Sequence, residues 1–411
     1  MKPRVVITGA GVVSSLGNST EQLFEALCNG QSGLGPVESF PTDRFECRTG
    51  GEIKSFSGAD YLSGRNLNAL DRISLLATAA SQLALGDSGW TSQMLAENDV
   101  GMVLGTMFAG LRTIHEFEFR ALTVGPEYVR PLEFANTVLN AAAGQAAIWH
   151  NLRGVNSTIM RGPTSGLQAI GVAAELIRGG RENAVVAGGI DEMCWESFYG
   201  FSSAGQLCHS SNGTPALPIP FDSRRNGFVL AEGAAFVVLE NAELAARRGA
   251  KFLAEVLSFA SRYDYSQGLD QENSIEVLKR AIQSAVSEAQ LSPDRIDAAY
   301  ASANGSIIGD HNEAEALARA FGDRAATLPV SAIKSMLGEA LGASGALQAV
   351  AMVEGLRKGV LPGIPSLETI DKDCPLGNLS PTSRPLDMRY GLINSASEDG
   401  FCCSMVLARR D

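Results

Sequence analysis

Short apolar, β-branched runs alternate along this chain with longer stretches in which apolar residues recur every three or four positions. That alternation predicts strands tied to helices in a layered α/β body, read as parallel sheet covered by helices. Strands are expected at residues 4–7, 100–104, 158–160, 184–187 and 235–239, and again at 253–259, 298–301, 329–332, 391–394 and 404–408. One helix follows residue 164 with Leu167, Ile170, Ala174 and Ile177 on a single face. The second set of strands repeats the layout of the first. GPTSG at 162–166 answers LGEALGASG at 337–345, and AGGIDE at 187–192 answers NSASEDG at 394–400. The layout reads as an internal duplication joined near Ala250, with halves at 1–250 and 251–411. The Ser-, Pro- and Gly-rich stretch 208–220 is expected to be a long surface loop.

Composition narrows the class. With 411 residues, 45% hydrophobic and only 19% charged, the chain can bury large cores, and its 44 glycines suit tight strand-to-helix turns. A net charge of −12 argues against nucleic acid as the main partner. The seven cysteines and four histidines show no metal-ligand spacing, so no metal is expected and a reducing cytoplasm is the simplest setting. No apolar run is long enough to span a membrane. The opening TGAGVVSSLG offers a Gly-x-Gly after a strand, but Ser14 replaces the third glycine of a dinucleotide fingerprint. A tight strand-to-helix turn accounts for it better.

The chemistry is expected at TIMRGPTSG, residues 158–166, which reads as a strand entering a sharp nucleophile-type elbow. Pro163 stands at the corner. Proline has neither a nucleophilic side chain nor a backbone N–H, so the corner can neither attack a thioester nor donate from the main chain to an oxyanion.

Five long motifs in order then carry a resemblance over nearly the whole chain: VVITGAGVVSSLG at 5–17, residues 154–166, PFDSRRNGFVLAEGAAFVVLE at 220–240, YASANGSIIGDHNEAEA at 300–316 and SAIKSMLGEALGASGA at 331–346. The chain resembles the β-ketoacyl-acyl carrier protein synthases. The resemblance implies the thiolase fold, five αβαβα layers built from two duplicated halves. It also implies a catalytic Cys-His-His set, and here those positions fall on Pro163, Asn304 and Glu339. Lys334 and Glu315 match the family's lysine and acid, and the lysine is expected to serve a buried ion pair. The family's Gly-Phe-Gly-Gly gate loop falls on Ser397, Glu398, Asp399 and Gly400, which puts carboxylates where negative charge would have to be stabilised.

Relatives without the catalytic set resemble the chain length factors, or ketosynthase β subunits, of type II polyketide synthases, although most of those carry glutamine where Pro163 stands. The resemblance implies a non-catalytic subunit pairing with an active ketosynthase, as heterodimer or heterotetramer, and shaping the tunnel for decarboxylative Claisen condensation. The growing chain would arrive on the phosphopantetheine of an acyl carrier protein, with no cofactor bound directly. By alignment Phe108, Thr113, Phe117 and Phe134 are tunnel candidates, each with core packing as the plainer alternative. The competing reading is a ketosynthase homologue rewired for acyl hydrolysis or transfer through Glu339 or His311. The pair Cys208–His209 is a weaker nucleophile candidate, because adjacent side chains tend to point apart.

Overall fold

The computed structural model describes residues 3–54, 56–63, 67–210 and 216–410, so residues 211–215 of the expected loop at 208–220 lie outside the described residues. Ten strands form the body: β1 Val5–Ser14, β2 Gly101–Gly105, β3 Asn156–Ile159, β4 Ala184–Asp191, β5 Gly233–Asn241, β6 Ala254–Tyr263, β7 Ala298–Tyr300, β8 Val330–Ser331, β9 Tyr390–Ala396 and β10 Phe401–Ala408. Their spatial order is β8-β7-β9-β10-β6-β1-β5-β4-β2-β3. Each strand of the first five has a counterpart five places on. The order β1-β5-β4-β2-β3 is repeated as β6-β10-β9-β7-β8, with the same parallel and antiparallel neighbours. The two sets join where β1 pairs antiparallel with β6, Val5 opposite Val256.

The parallel-sheet expectation is thus corrected to a mixed sheet. Only β2 with β3 and β4, and β7 with β8 and β9, run parallel. The reason is visible at β9 and β10: the four residues Ser397 to Gly400 between them can close a hairpin, whereas a parallel crossover needs about a dozen. Several strands also run longer than the apolar runs suggested, β1 reaching Ser14 because both its faces are buried.

The helices that matter for the site are α1 Arg72–Ser88, α2 Leu111–Thr123, α3 Ala141–His150, α4 Ser165–Arg178, α5 Gln271–Glu288, α6 Ile307–Phe321 and α7 Ser344–Lys358. Helices α4 and α7 lie in the middle. Leu167, Ile170, Ala174 and Ile177 of α4 are fully buried, and α7 is buried continuously from Ser344 to Leu356. They share one core with inward residues of β1, β5 and β6. Helix α1 covers the outside of the first set of strands, and α5 and α6 cover the second. The two five-strand halves of the sheet, the helical layer they share and two outer helical layers make the five-layered thiolase arrangement. The glycines of the opening motif serve this packing: a Cβ on Gly9 or Gly11 would lie 2.4 Å or 2.2 Å from carbonyl oxygens of α1. They let a helix close onto β1 and do not cradle a phosphate. Among the described residues no helix is long and apolar enough to cross a membrane.

Candidate active-site cavity

Strand β3 runs into α4 through a corner in which Gly162 takes φ +56°, a conformation open to a residue without Cβ. Ser165 fixes the corner, donating its hydroxyl to the Gly162 carbonyl at 2.7 Å and accepting the Arg161 N–H at 2.8 Å. Pro163 is therefore held at the start of a buried helix, facing a cavity of about 420 Å³. Asn304 and Glu339 line the same cavity. Pro163, Asn304 and Glu339 are thus brought together around one space.

They are also wired to one another. Asn304 Nδ2 donates to Glu339 Oε2 at 2.8 Å, and Lys334 Nζ donates to the same oxygen at 2.7 Å. The other carboxylate oxygen accepts the Ser344 hydroxyl at 2.6 Å and the Leu341 N–H at 3.1 Å. Lys334 and Glu339 are each 2% exposed, so the expected buried ion pair exists, and its acid partner is Glu339.

Glu315 requires a correction. It lies outside the cavity, in a shallow surface cleft, paired with Arg319 at 3.2 Å. The acid that reaches the cavity is Glu313, two residues earlier on α6. Residues two apart on a helix point roughly 200° away from each other, so only one of the pair can face inward. Glu313 accepts the Ser302 N–H on Oε1 at 2.9 Å, while Oε2 has no hydrogen-bond partner. Burial pushes its carboxyl up to about 7.

The altered gate loop forms the hairpin between β9 and β10, with Gly400 at φ +96°. Glu398 spans the mouth of the cavity, accepting from Gln206 Nε2 at 2.6 Å and from the Ser306 hydroxyl at 2.7 Å. Ser397 and Asp399 stand over Gly162. The mouth thus carries a carboxylate clasped by neutral donors.

The tunnel candidates fare less well. Phe108 packs beside the cavity through Phe201, with ring centroids 5.9 Å apart, and its N–H donates to Asp191 at 3.1 Å. Thr113 instead donates its hydroxyl to Asp71 at 2.9 Å, away from the cavity. Phe117 and Phe134 pack against each other at 6.1 Å on the outside of the chain, because α2 has no buried residue to hold them inward. The walls come from Met107, Phe201, Phe228 and Leu341, with Leu269 and Ile308 at the rim. Nothing in the pattern singled these out, since an apolar residue beside a cavity looks in sequence like any core residue. Asp191 was missed for the opposite reason: its carboxylate accepts the N–H groups of Met107 and Gly342, each at 2.7 Å, and so stitches the two halves beneath the cavity. Burial raises it to about 6.

Other nucleophile candidates are elsewhere or inert. His311 meets the Asp373 carbonyl through Nδ1 at 2.6 Å and lines the shallow cleft. Cys208 is buried among apolar side chains, with His209 exposed beside it. Cys402 does reach the cavity wall, but burial drives its thiol up to about 12, so it carries no thiolate at neutral pH.

Comparison with known proteins agrees with this layout. The family described as "Beta-ketoacyl synthase, N-terminal domain" matches residues 2–245, and "Beta-ketoacyl synthase, C-terminal domain" matches residues 253–368. A "3-oxoacyl-[acyl-carrier-protein] synthase 2" of Coxiella burnetii is 32% identical over 409 residues, 99% of each chain. A "Granaticin polyketide putative beta-ketoacyl synthase 1" of Streptomyces violaceoruber is 33% identical, covering 100% of this chain and 99% of its own. The solved structure titled "The ishigamide ketosynthase/chain length factor" superposes with a TM-score of 0.92 at 28% identity over 100% of both chains. Sequence, strand order and the meeting of Pro163, Asn304 and Glu339 in one cavity lead to the same place: the chain belongs to the beta-ketoacyl synthase family.

Proposed function

We propose that this chain is a non-catalytic chain length factor: it pairs with an active ketosynthase and shapes the space that receives a polyketide chain during decarboxylative condensation. The observation that carries this reading is the closed Asn304–Glu339–Lys334 network facing a proline. A condensing site needs a thiolate and two proton-handling groups within reach of one carbonyl. Here a carboxamide and an ion-paired carboxylate occupy the helper positions. Lys334 is committed to Glu339 and cannot act as a base toward Ser302, 3.4 Å away.

A partner chain is supported by the outer surface around α2. Leu122, Leu132 and Ile148 are 86%, 87% and 79% exposed, and β3 is an edge strand with one side unpaired. Apolar surface beside a free strand edge marks a protein interface. The partner we infer is a similar chain with an intact Cys-His-His set, and the growing chain comes on the phosphopantetheine of an acyl carrier protein. The cytoplasm is the proposed location.

The competing reading, acyl hydrolysis or transfer through Glu339 or His311, draws less support. Glu339 already holds four hydrogen bonds, and His311 faces a different cleft. One experiment separates the two. The purified chain is incubated with acyl- and malonyl-carrier protein, alone and co-expressed with an intact ketosynthase, while covalent loading, CO₂ and free acid are measured. The proposal expects silence alone and elongation only in the complex; turnover by the isolated chain overturns it.

A further inference from the structure

One buried carboxylate holds cavity-wall residues from both halves of the chain. Asp191, the last residue of β4, is fully buried. Its Oδ1 accepts the Thr106 hydroxyl at 2.7 Å and the Phe108 N–H at 3.1 Å, and its Oδ2 accepts the N–H groups of Met107 and Gly342, each at 2.7 Å. The first three of these residues follow β2, in the first half, and Gly342 precedes α7, in the second. All the donors are neutral, so the contact is set by direction and number of hydrogen bonds, not by an opposite charge.

Each stretch that Asp191 holds contains a residue in a conformation that side chains rarely adopt. Ala109 has φ +53° and Leu341 has φ +50°. A residue with a Cβ stays left-handed only where its surroundings over-determine it. The Ala109 N–H is held by the Thr106 hydroxyl oxygen at 2.9 Å, and that hydroxyl is itself fixed on Asp191. Leu341 is pinned from both sides, because Glu339 accepts its own N–H at 3.1 Å and Asp191 accepts that of Gly342. The junction has no slack: a Cβ on Gly342 would lie 2.6 Å from Asp191 Oδ2 and 2.7 Å from Thr106 Cα. Met107 and Leu341 line the cavity, and Phe108 packs on the lining residue Phe201 at 5.9 Å.

We propose that Asp191 is a specificity-determining positioning residue: by clamping Met107 and Phe108 of one half to Leu341 and Gly342 of the other, it fixes the shape of the cavity wall and with it the length of acyl chain that the cavity accepts. The inference rests on the reading of this cavity as a space that receives such a chain, and it names the group that sets the space. Asp191→Asn tests the clamp with little change of volume. An amide brings one acceptor oxygen to a point where four donors converge. Turned toward Thr106, whose hydroxyl can reverse to accept, its NH2 strands the Phe108 N–H; turned the other way it strands those of Met107 and Gly342.

The experiment is calorimetric titration of the full chain with straight-chain 1-alkanols from hexanol to dodecanol. Affinity of the parent should climb about fourfold per added methylene and then stop at a limiting length. Asp191→Asn should move that limit by about two carbons or more, whereas Ile177→Ala, a buried change outside the cavity wall, should lower the denaturation midpoint and leave the limit in place. An unmoved limit in Asp191→Asn, a limit moved equally by Ile177→Ala, or no alkanol binding by the parent overturns the inference. Should Asp191→Asn fail to fold, Thr106→Val, which removes one donor from the carboxylate together with the acceptor of the Ala109 N–H, is read in the same way. The titration needs neither carrier protein nor ketosynthase, so turnover by the isolated chain would overturn the proposed function and leave the alkanol result standing.

Discussion

Asn304 and Lys334 donate to the same oxygen of Glu339, at 2.8 Å and 2.7 Å. One carboxylate thus ties together the two helper positions of the family's chemistry and the one cation behind them. Glu339→Ala is expected to cost about 3–5 kcal/mol, because it strands a charged lysine in a site 2% exposed. The double variant Lys334→Met with Glu339→Leu should recover most of that loss. Urea denaturation checks both; a single variant within about 1 kcal/mol of the parent refutes the pairing as a structural element.

On the proposed reading, Pro163→Cys should divide the condensation reaction into its parts. A thiol at the start of α4 gains acidity from the helix N-terminus, so the variant is expected to pick up an acyl group from acyl-carrier protein. Condensation should still fail, since Asn304 and Glu339 cannot manage the protons of a malonyl extender. Intact-protein mass spectrometry reads the loading and CO₂ release reads the second step. CO₂ release by this variant would show that the helpers are not missing.

Leu122→Asp and Leu132→Asp lie on exposed apolar surface and touch no core, so thermal stability should shift by no more than about 0.5 kcal/mol. Co-purification with an intact ketosynthase should be lost. Retention of the complex by both variants would move the interface elsewhere.

His150 on α3 is buried between the Ser81 hydroxyl, at 2.9 Å, and the Thr78 carbonyl, at 3.1 Å. Burial lowers it from 6.5 to about 4. The unfolded chain therefore takes up this proton first as pH falls, and stability present above pH 6.5 drains away until pH 4. Relative to His150→Gln, the parent should lose roughly 3 kcal/mol across that window. Parallel slopes for parent and variant would contradict it.

Glu192 acts in the opposite sense. It is buried with Oε2 in a loose ion pair to Arg112 Nε at 3.9 Å, too long for a hydrogen bond, and burial lifts it from 4.5 to about 8. The folded chain keeps the proton that the unfolded chain releases, so stability present at low pH is lost as pH rises from 4.5 to 8. Glu192→Gln should be neutral near pH 4 and stabilising by several kcal/mol at pH 8 and above, measured as the pH dependence of the denaturation midpoint.

Much of this protein was legible in its residues. The apolar runs and periodic positions marked the ten strands of the main sheet and the buried face of α4, because burial leaves its mark on the local pattern. That Pro163 offers no nucleophilic atom could be read directly, whatever surrounds it. Tertiary structure alone decided which of two acids on α6 faces inward, that Lys334 pairs with Glu339, and that Gln206 and Ser306 clasp Glu398. It also decided that Thr113, Phe117 and Phe134 lie away from the cavity, and that the sheet is mixed. The physical reason is common to all of these. A local pattern records how each residue meets its own helix or strand, whereas the partner a polar side chain finds, whether five residues away as for Lys334 and Glu339 or 192 away as for Gln206 and Glu398, and the direction in which a half-buried side chain turns, are fixed only when the layers pack.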